Sequence, residues 1–264
     1  MANKGLKNYT KQLTQQLGNA CGVSVNINEA DANLIMTLPL FKTLGRAPID
    51  LSLIYNHQNK DVANPFGKGM RLNLFEKISS SGSNYVFDNC DGSTDIYVND
   101  VFNKETGCKL VKETTTIAGG GSGNGSIGIG GGNGEIITTR TIYKLFDKFG
   151  NHKVYNNLGN NYPNKIVMIN GLEYSVTYST NILNITNNMD NYKITTTWSN
   201  SLVTKIEHRN GGTTLCYADL THNDDNYLTG LKIFKEEMTA NIRLIISGMF
   251  KKLVIAERLA IYTD

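Results

Sequence analysis

Residues 38–74 read LPLFKTLGRAPIDLSLIYNHQNKDVANPFGKGMRLNL, and the fold follows from this run. Leu51, Leu53 and Tyr55 alternate with Asp50, Ser52 and Ile54, close to the two-residue period of a half-buried strand. Gly45 and Pro48 break the chain before that strand, and the polar run 56–64 breaks it after. Gly67 and Gly69 flank Lys68 in a tight turn that leads into a further strand at 71–74. The stretch therefore builds sheet, and it carries no catalytic residue set.

Three pieces of the sequence form a recurring pattern: Leu44-Gly45-Arg46 with Leu51-Ser52-Leu53-Ile54-Tyr55-Asn56, then Phe66-Gly67-Lys68-Gly69, then the turn Asp91-Gly92-Ser93. In this combination the chain resembles the Rhs/YD-repeat proteins over residues 33–235. Met70 stands where that family has Trp, so one large anchor differs. The resemblance implies an Rhs/YD-type sheet or open shell that encloses or presents another polypeptide, without chemistry of its own. Its partners would be other polypeptide segments of the shell or a toxin. Full-length relatives also carry a self-cleaving C-terminal segment, and none is visible in this sequence.

The rest of the chain extends the β pattern. Residues 23–27, 33–40, 85–87, 95–98, 109–117, 136–143, 141–146, 165–169 and 172–178 all read as strands. Asp91-Gly92 and Asn170-Gly171 mark hairpin turns. Aromatic-led segments recur about every twenty residues, beginning at Tyr178, Trp198 and, more loosely, Tyr217, and suggest stacked hairpin units. The fold class is therefore all-β, made of consecutive antiparallel hairpins. A short helix is expected at each end: one on Leu6, Tyr9, Leu13 and Leu17 ending near Gly18, and one amphipathic from Thr239. The expected organisation is an N-terminal helix or leader over 1–18 and a β-rich segment over 19–117. A Gly-rich flexible loop follows over 118–135, then hairpin repeats over 136–238 and the amphipathic helix over 239–264.

That last segment differs in character. Residues 248–262, GMFKKLVIAERLAIY, resemble a segment of the membrane-bound O-acyltransferase family. The family's catalytic His and spanning helices are absent, so no catalytic residue carries over. Either a foreign piece joins near Met238, or the helix is native and the likeness coincidental. Weak membrane contact through Ile242, Ile246, Met249 and Leu253 would go with it, as a remnant of such an enzyme.

Composition excludes several classes. The 264 residues are 40% hydrophobic and 19% charged, with a net charge of +3. This small excess predicts no nucleic-acid partner. The first twenty residues lack an apolar core of signal-peptide length, so export to the surface or medium would use another signal, and the cytoplasm is left open. The Gly-rich segment lacks the Lys-Ser/Thr and the following helix of a phosphate-cradling loop. The four cysteines show no ligand spacing. Unpaired thiols are the simpler reading, with a Cys90–Cys108 bridge left open. Asp88 and Asp91 read as turn residues rather than paired acids. His222 with Asp224 and Asp225 reads as a solvated turn. No catalytic residue, cofactor or metal site is expected. Tyr174, Tyr178, Tyr192 and Trp198 could stack against a sugar in an adhesion module; the competing reading makes them buried rungs of the sheet. An isolated piece of such a shell would leave open edges, so the chain is expected to be a fragment of, or degenerate relative to, a longer protein, and to self-associate.

Overall fold

The structure, a computed structural model, describes residues 14–20, 23–28, 33–44, 48–119, 136–159, 162–187, 189–235, 238–243 and 254–256. It contains three antiparallel sheets whose strands follow one another in chain order. The first holds β1 (Thr14–Ala20), β2 (Val23–Asn28), β3 (Asn33–Lys42), β4 (Asp50–Asn56) and β5 (Met70–Leu72). The second, of three strands, holds β6 (Lys77–Ser81), β7 (Asn84–Asp88) and β8 (Thr94–Val98). The third begins with β9 (Phe102–Asn103), β10 (Cys108–Gly119), β11 (Ile136–Phe146), β12 (His152–Tyr155) and β13 (Lys165–Val167). It continues with β14 (Glu173–Ser179), β15 (Ile182–Asn187), β16 (Tyr192–Ser199), β17 (Leu202–Asn210), β18 (Thr213–His222) and β19 (Leu228–Lys235). β20 (Met238–Arg243) and β21 (Val254–Ala256) complete its thirteen strands.

The two shorter sheets cover one face of the long one. Leu38, Leu51 and Leu53 of the first sheet share a buried cluster with Val176, Ile185, Val203, Ile206 and Leu231 of the long sheet. The alternation in 50–56 is realised, since Leu51, Leu53 and Tyr55 are all buried. Each such side chain contributes about 1.5–3 kcal/mol relative to exposure. The three-stranded sheet packs Ile78, Phe87 and Tyr97 against Leu110, Tyr143 and Tyr155, a separate and smaller cluster. Pro39 lies inside β3 at a register shift between Pro39 and Phe41. A bulge is where a strand tolerates a residue without an N–H.

The C-terminal helix is corrected, and so is the described end of the N-terminal one. Thr14–Ala20 is a strand paired with β2, including Gly18, where the helix was expected to end. Glycine costs about 1 kcal/mol inside a helix relative to alanine, whereas here it sits beside a bulge between Gln16 and Gly18. The segment from Thr239 pairs instead along β19, Phe234 opposite Thr239 and Leu231 opposite Ile242. The helical spacing of the tail is carried largely by β-branched isoleucines, which suit a strand as well. The edge of β19 offers ladder bonds that a detached helix would leave to water. Ile242 thus lies on a strand, while Ile246, Met249 and Leu253 fall outside the described residues, as do 1–13 and 257–264. The Gly-rich segment also starts later than expected, because Ala118 and Gly119 pair with Ile137 and Ile136; residues 120–135 are outside the described set. No helix of the described residues is long and apolar enough to cross a membrane.

Candidate functional site

Described residues from each of the three motif pieces meet in space. Asn56 ends β4 almost fully buried, and its amide Nδ2 donates to the Asp91 carbonyl at 2.6 Å. Its Oδ1 accepts from the Gln58 N–H at 2.9 Å. Gly92 follows Asp91 at φ 81° with its α-carbon against that amide, so a Cβ there would overlap Asn56. The Asp91 carboxylate accepts the Ser93 N–H at 2.8 Å, and Asp88 pairs with Arg71 at 3.7 Å. These acids are therefore turn and ion-pair residues. The glycine turn closes the other side. The Asn56 N–H donates to the Gly69 carbonyl at 3.0 Å, and a Cβ on Gly69 would lie 2.9 Å from the Tyr55 ring. The Lys68 N–H donates to the Asn226 carbonyl at 2.9 Å, which ties this turn to the long sheet. Met70 is fully buried.

The four candidate stacking aromatics separate. Tyr174 is buried in the main core, with its hydroxyl engaged by the Asn187 and Thr43 side chains and its ionisation pushed up by burial. Tyr192 lies at the far end of β16, 5.4 Å from the His208 ring. Tyr178 and Trp198 do come together, 6.4 Å apart and tilted by 56°. Each ends its strand, and each stands opposite the apolar residue five positions later, Tyr178 across from Leu183 and Trp198 across from Val203. The extra residue between Trp198 and Ile206 is taken up by a bulge at Thr197/Trp198. Tyr217 is not a third copy: it points to the opposite face from buried Cys216 and Ala218 and stacks on Phe234 at 4.3 Å.

Tyr178 and Trp198 line a cleft of about 440 Å³ with Pro65, Lys68, Asn181 and Asn200. The Trp198 indole N–H is held by Thr196 Oγ1 at 2.6 Å, which fixes the ring. Phe75 and Tyr162 support Tyr178 at 5.2 and 4.9 Å. Asn181 and Asn200 sit in left-handed turn positions, φ 60° and 49°, where Asn is among the few side chains tolerated.

A second cavity, of about 600 Å³, lies where the three sheets meet, with Thr37 and Ile54 of the first sheet on its wall. Lys153 Nζ donates to both Glu76 oxygens at 2.8 Å, and the Tyr155 hydroxyl donates to Glu76 Oε2 at 3.0 Å. Burial disfavours a charged Lys153, but the facing carboxylate outweighs it and keeps the ammonium charged. Burial and the same carboxylate hold Tyr155 protonated. Cys90 and Cys108 line this cavity as free thiols, both shifted upward chiefly by burial. A thiol in that state is a poor nucleophile and a poor metal ligand. His152, also on the wall, is shifted downward by burial. His222 sits at 3.2 Å from the Phe66 carbonyl rather than beside Asp224 and Asp225. Among the described residues no group of His, Cys, Asp and Glu could hold a metal ion. Sequence reasoning missed the Glu76–Lys153 pair, because its members lie 77 residues apart and carry no local signal.

The chain matches no protein-family model and no curated protein.

Proposed function

We propose that this chain is a non-catalytic wall segment of an Rhs/YD-type surface or secreted β-shell, whose concern is another polypeptide that it encloses or presents. The observation that carries this reading is the junction of Asn56, Gly69 and Gly92. The residues of the resemblance are spent on holding sheets together, through buried backbone and amide contacts. A meander in strict chain order is also the topology a wall needs, since it extends by adding hairpins. The test uses the natural reading frame with its flanking codons. A polypeptide encoded beside this segment should resist protease in the intact protein and become cleavable in Asn56→Ala. Equal digestion of that polypeptide with and without the segment would refute the reading.

A second reading, a carbohydrate-binding or adhesion module, is favoured by the Tyr178–Trp198 cleft. Aromatic faces beside amide-bearing turns suit the apolar and hydroxyl faces of a sugar ring. On a glycan array, Trp198→Ala should abolish any signal while circular dichroism shows the fold retained, and Tyr192→Ala should leave the signal intact. Tyr174→Ala should lower stability instead. An array signal unaffected by Trp198→Ala would remove the cleft from consideration.

A further inference from the structure

The hairpin β10–β11 runs past the body of the protein. Its ladder pairs every residue from Lys109 opposite Phe146 to Gly119 opposite Ile136, without a register shift. The neighbouring strands stop early: β9 pairs only Cys108 and Lys109, and β12 pairs only 143–146. Beyond Lys112, among the described residues, the ribbon has no sheet neighbour on either side. Residues 112–116, 139 and 140 are exposed, whichever face they occupy.

The outer edge of β10 can be read atom by atom. The Leu110 carbonyl accepts from the Asp100 N–H at 2.7 Å, and the Lys112 N–H donates to Asn99 Oδ1 at 2.7 Å. Residues 110 and 112 therefore direct their backbone groups away from β11. The alternation of an antiparallel strand places those of Thr114, Thr116 and Ala118 on the same outer edge. A two-stranded ribbon is marginal in water, and a bare edge is a template for a further strand. Bulge and proline do not occur in residues 113–119 of β10, and the one charged residue there, Glu113, is paired with Lys144 of β11 at 2.7 Å.

We propose that this edge pairs antiparallel with the same edge of a second copy of the chain, about a two-fold axis at Thr116. That register sets Thr116 opposite Thr116 and Thr114 opposite Ala118, each with its hydrogen-bonding groups facing the partner. Glu113 comes opposite Gly119, so no like charges meet. Cross-strand threonine contact of this kind already exists within the ribbon, Thr114 Oγ1 to Thr141 Oγ1 at 3.4 Å. A self-complementary edge is what a closed two-fold interface requires, and this one would form about six backbone bonds. The inference is independent of the wall reading, because it needs only the ribbon.

The test is concentration-dependent amide exchange on the full chain, read beside light scattering. The Thr114 and Thr116 amides should exchange fast in dilute solution and become protected as the mass doubles. The Glu113 and Thr115 amides, which face β11, should stay protected throughout. Thr116→Lys places like charges opposite each other, and Thr116→Pro removes the outward N–H while sparing the inner ladder. Each should weaken dimerisation at least about tenfold with an unchanged circular dichroism spectrum. A wild-type monomer up to about 1 mM overturns the proposal. So does exchange at Thr114 and Thr116 that ignores concentration, or a dimer indifferent to both substitutions.

Discussion

The two shorter sheets are fastened to the long one in different ways. Among the described residues, the five-stranded sheet shares a cluster of twenty-nine buried side chains with it, whereas the three-stranded sheet shares six. The larger contact is chiefly apolar and redundant, with backbone ties such as Lys68 N–H to the Asn226 carbonyl beside it, so no single residue decides it. The smaller contact adds what the first lacks, a part-buried Lys153–Glu76 pair with Tyr155 bonded to the same carboxylate. We expect this directional polar contact to specify the register that a small apolar patch leaves loose.

This contrast can be broken most forcefully at Phe87. It is fully buried at the centre of the small cluster, edge-on to Tyr97 and Tyr155 at 5.4 Å. Phe87→Ala should cost about 3–5 kcal/mol. The loss should be local, with amides of β6–β8 exchanging early in denaturant while β14–β18 stay protected. Uniform exchange across both regions would mean the two contacts form a single unit. The next effect is at Glu76. Glu76→Gln leaves the Lys153 ammonium without its counter-charge and should cost about 3 kcal/mol, the lower end for a broken buried pair. The double change Glu76→Met with Lys153→Met should recover much of that in a denaturation midpoint. If the single change is neutral, the pair contributes nothing and the apolar patch suffices.

The smallest effect tests the larger contact. His208 is fully buried, stacked between Phe41 of the first sheet and Tyr192, with Cys216 Sγ at 4.0 Å. Burial holds its ionisation below the ordinary histidine value. Below about pH 6.5 the unfolded chain takes up a proton that the folded core refuses. The stability present above that pH should therefore decline as pH falls, by at most about 1.4 kcal/mol per pH unit for one proton. Melting temperatures from pH 8 to pH 5 should fall less steeply in His208→Leu than in the wild type. Parallel profiles would assign the acid sensitivity to His152 and His222, which are shifted the same way.

The sheet-forming stretches were legible wherever the local pattern was strong. The alternation at 51–55 and the Asp91-Gly92 and Asn170-Gly171 turns are fixed by neighbours in sequence. β6 was not legible, since Lys77–Ser81 contains one apolar residue, Ile78, and its partners come from the long sheet. The tail was misread because helical spacing of isoleucines is indistinguishable from strand composition until an edge is available to pair with. For the candidate site, sequence marked all four aromatics equally. Only the fold separates buried Tyr174 from the Tyr178–Trp198 pair, and only the register shows that the Tyr178 and Trp198 segments pair alike while Tyr217 does not.

Because each strand within a sheet bonds to the one made just before it, the polypeptide never has to thread back through itself. Such a chain can condense progressively as it leaves the ribosome, each hairpin docking on a finished edge. Its genetic history would be equally simple. A duplication or loss of one aromatic-led hairpin shifts the end of the sheet by two strands and leaves the remaining ladder untouched.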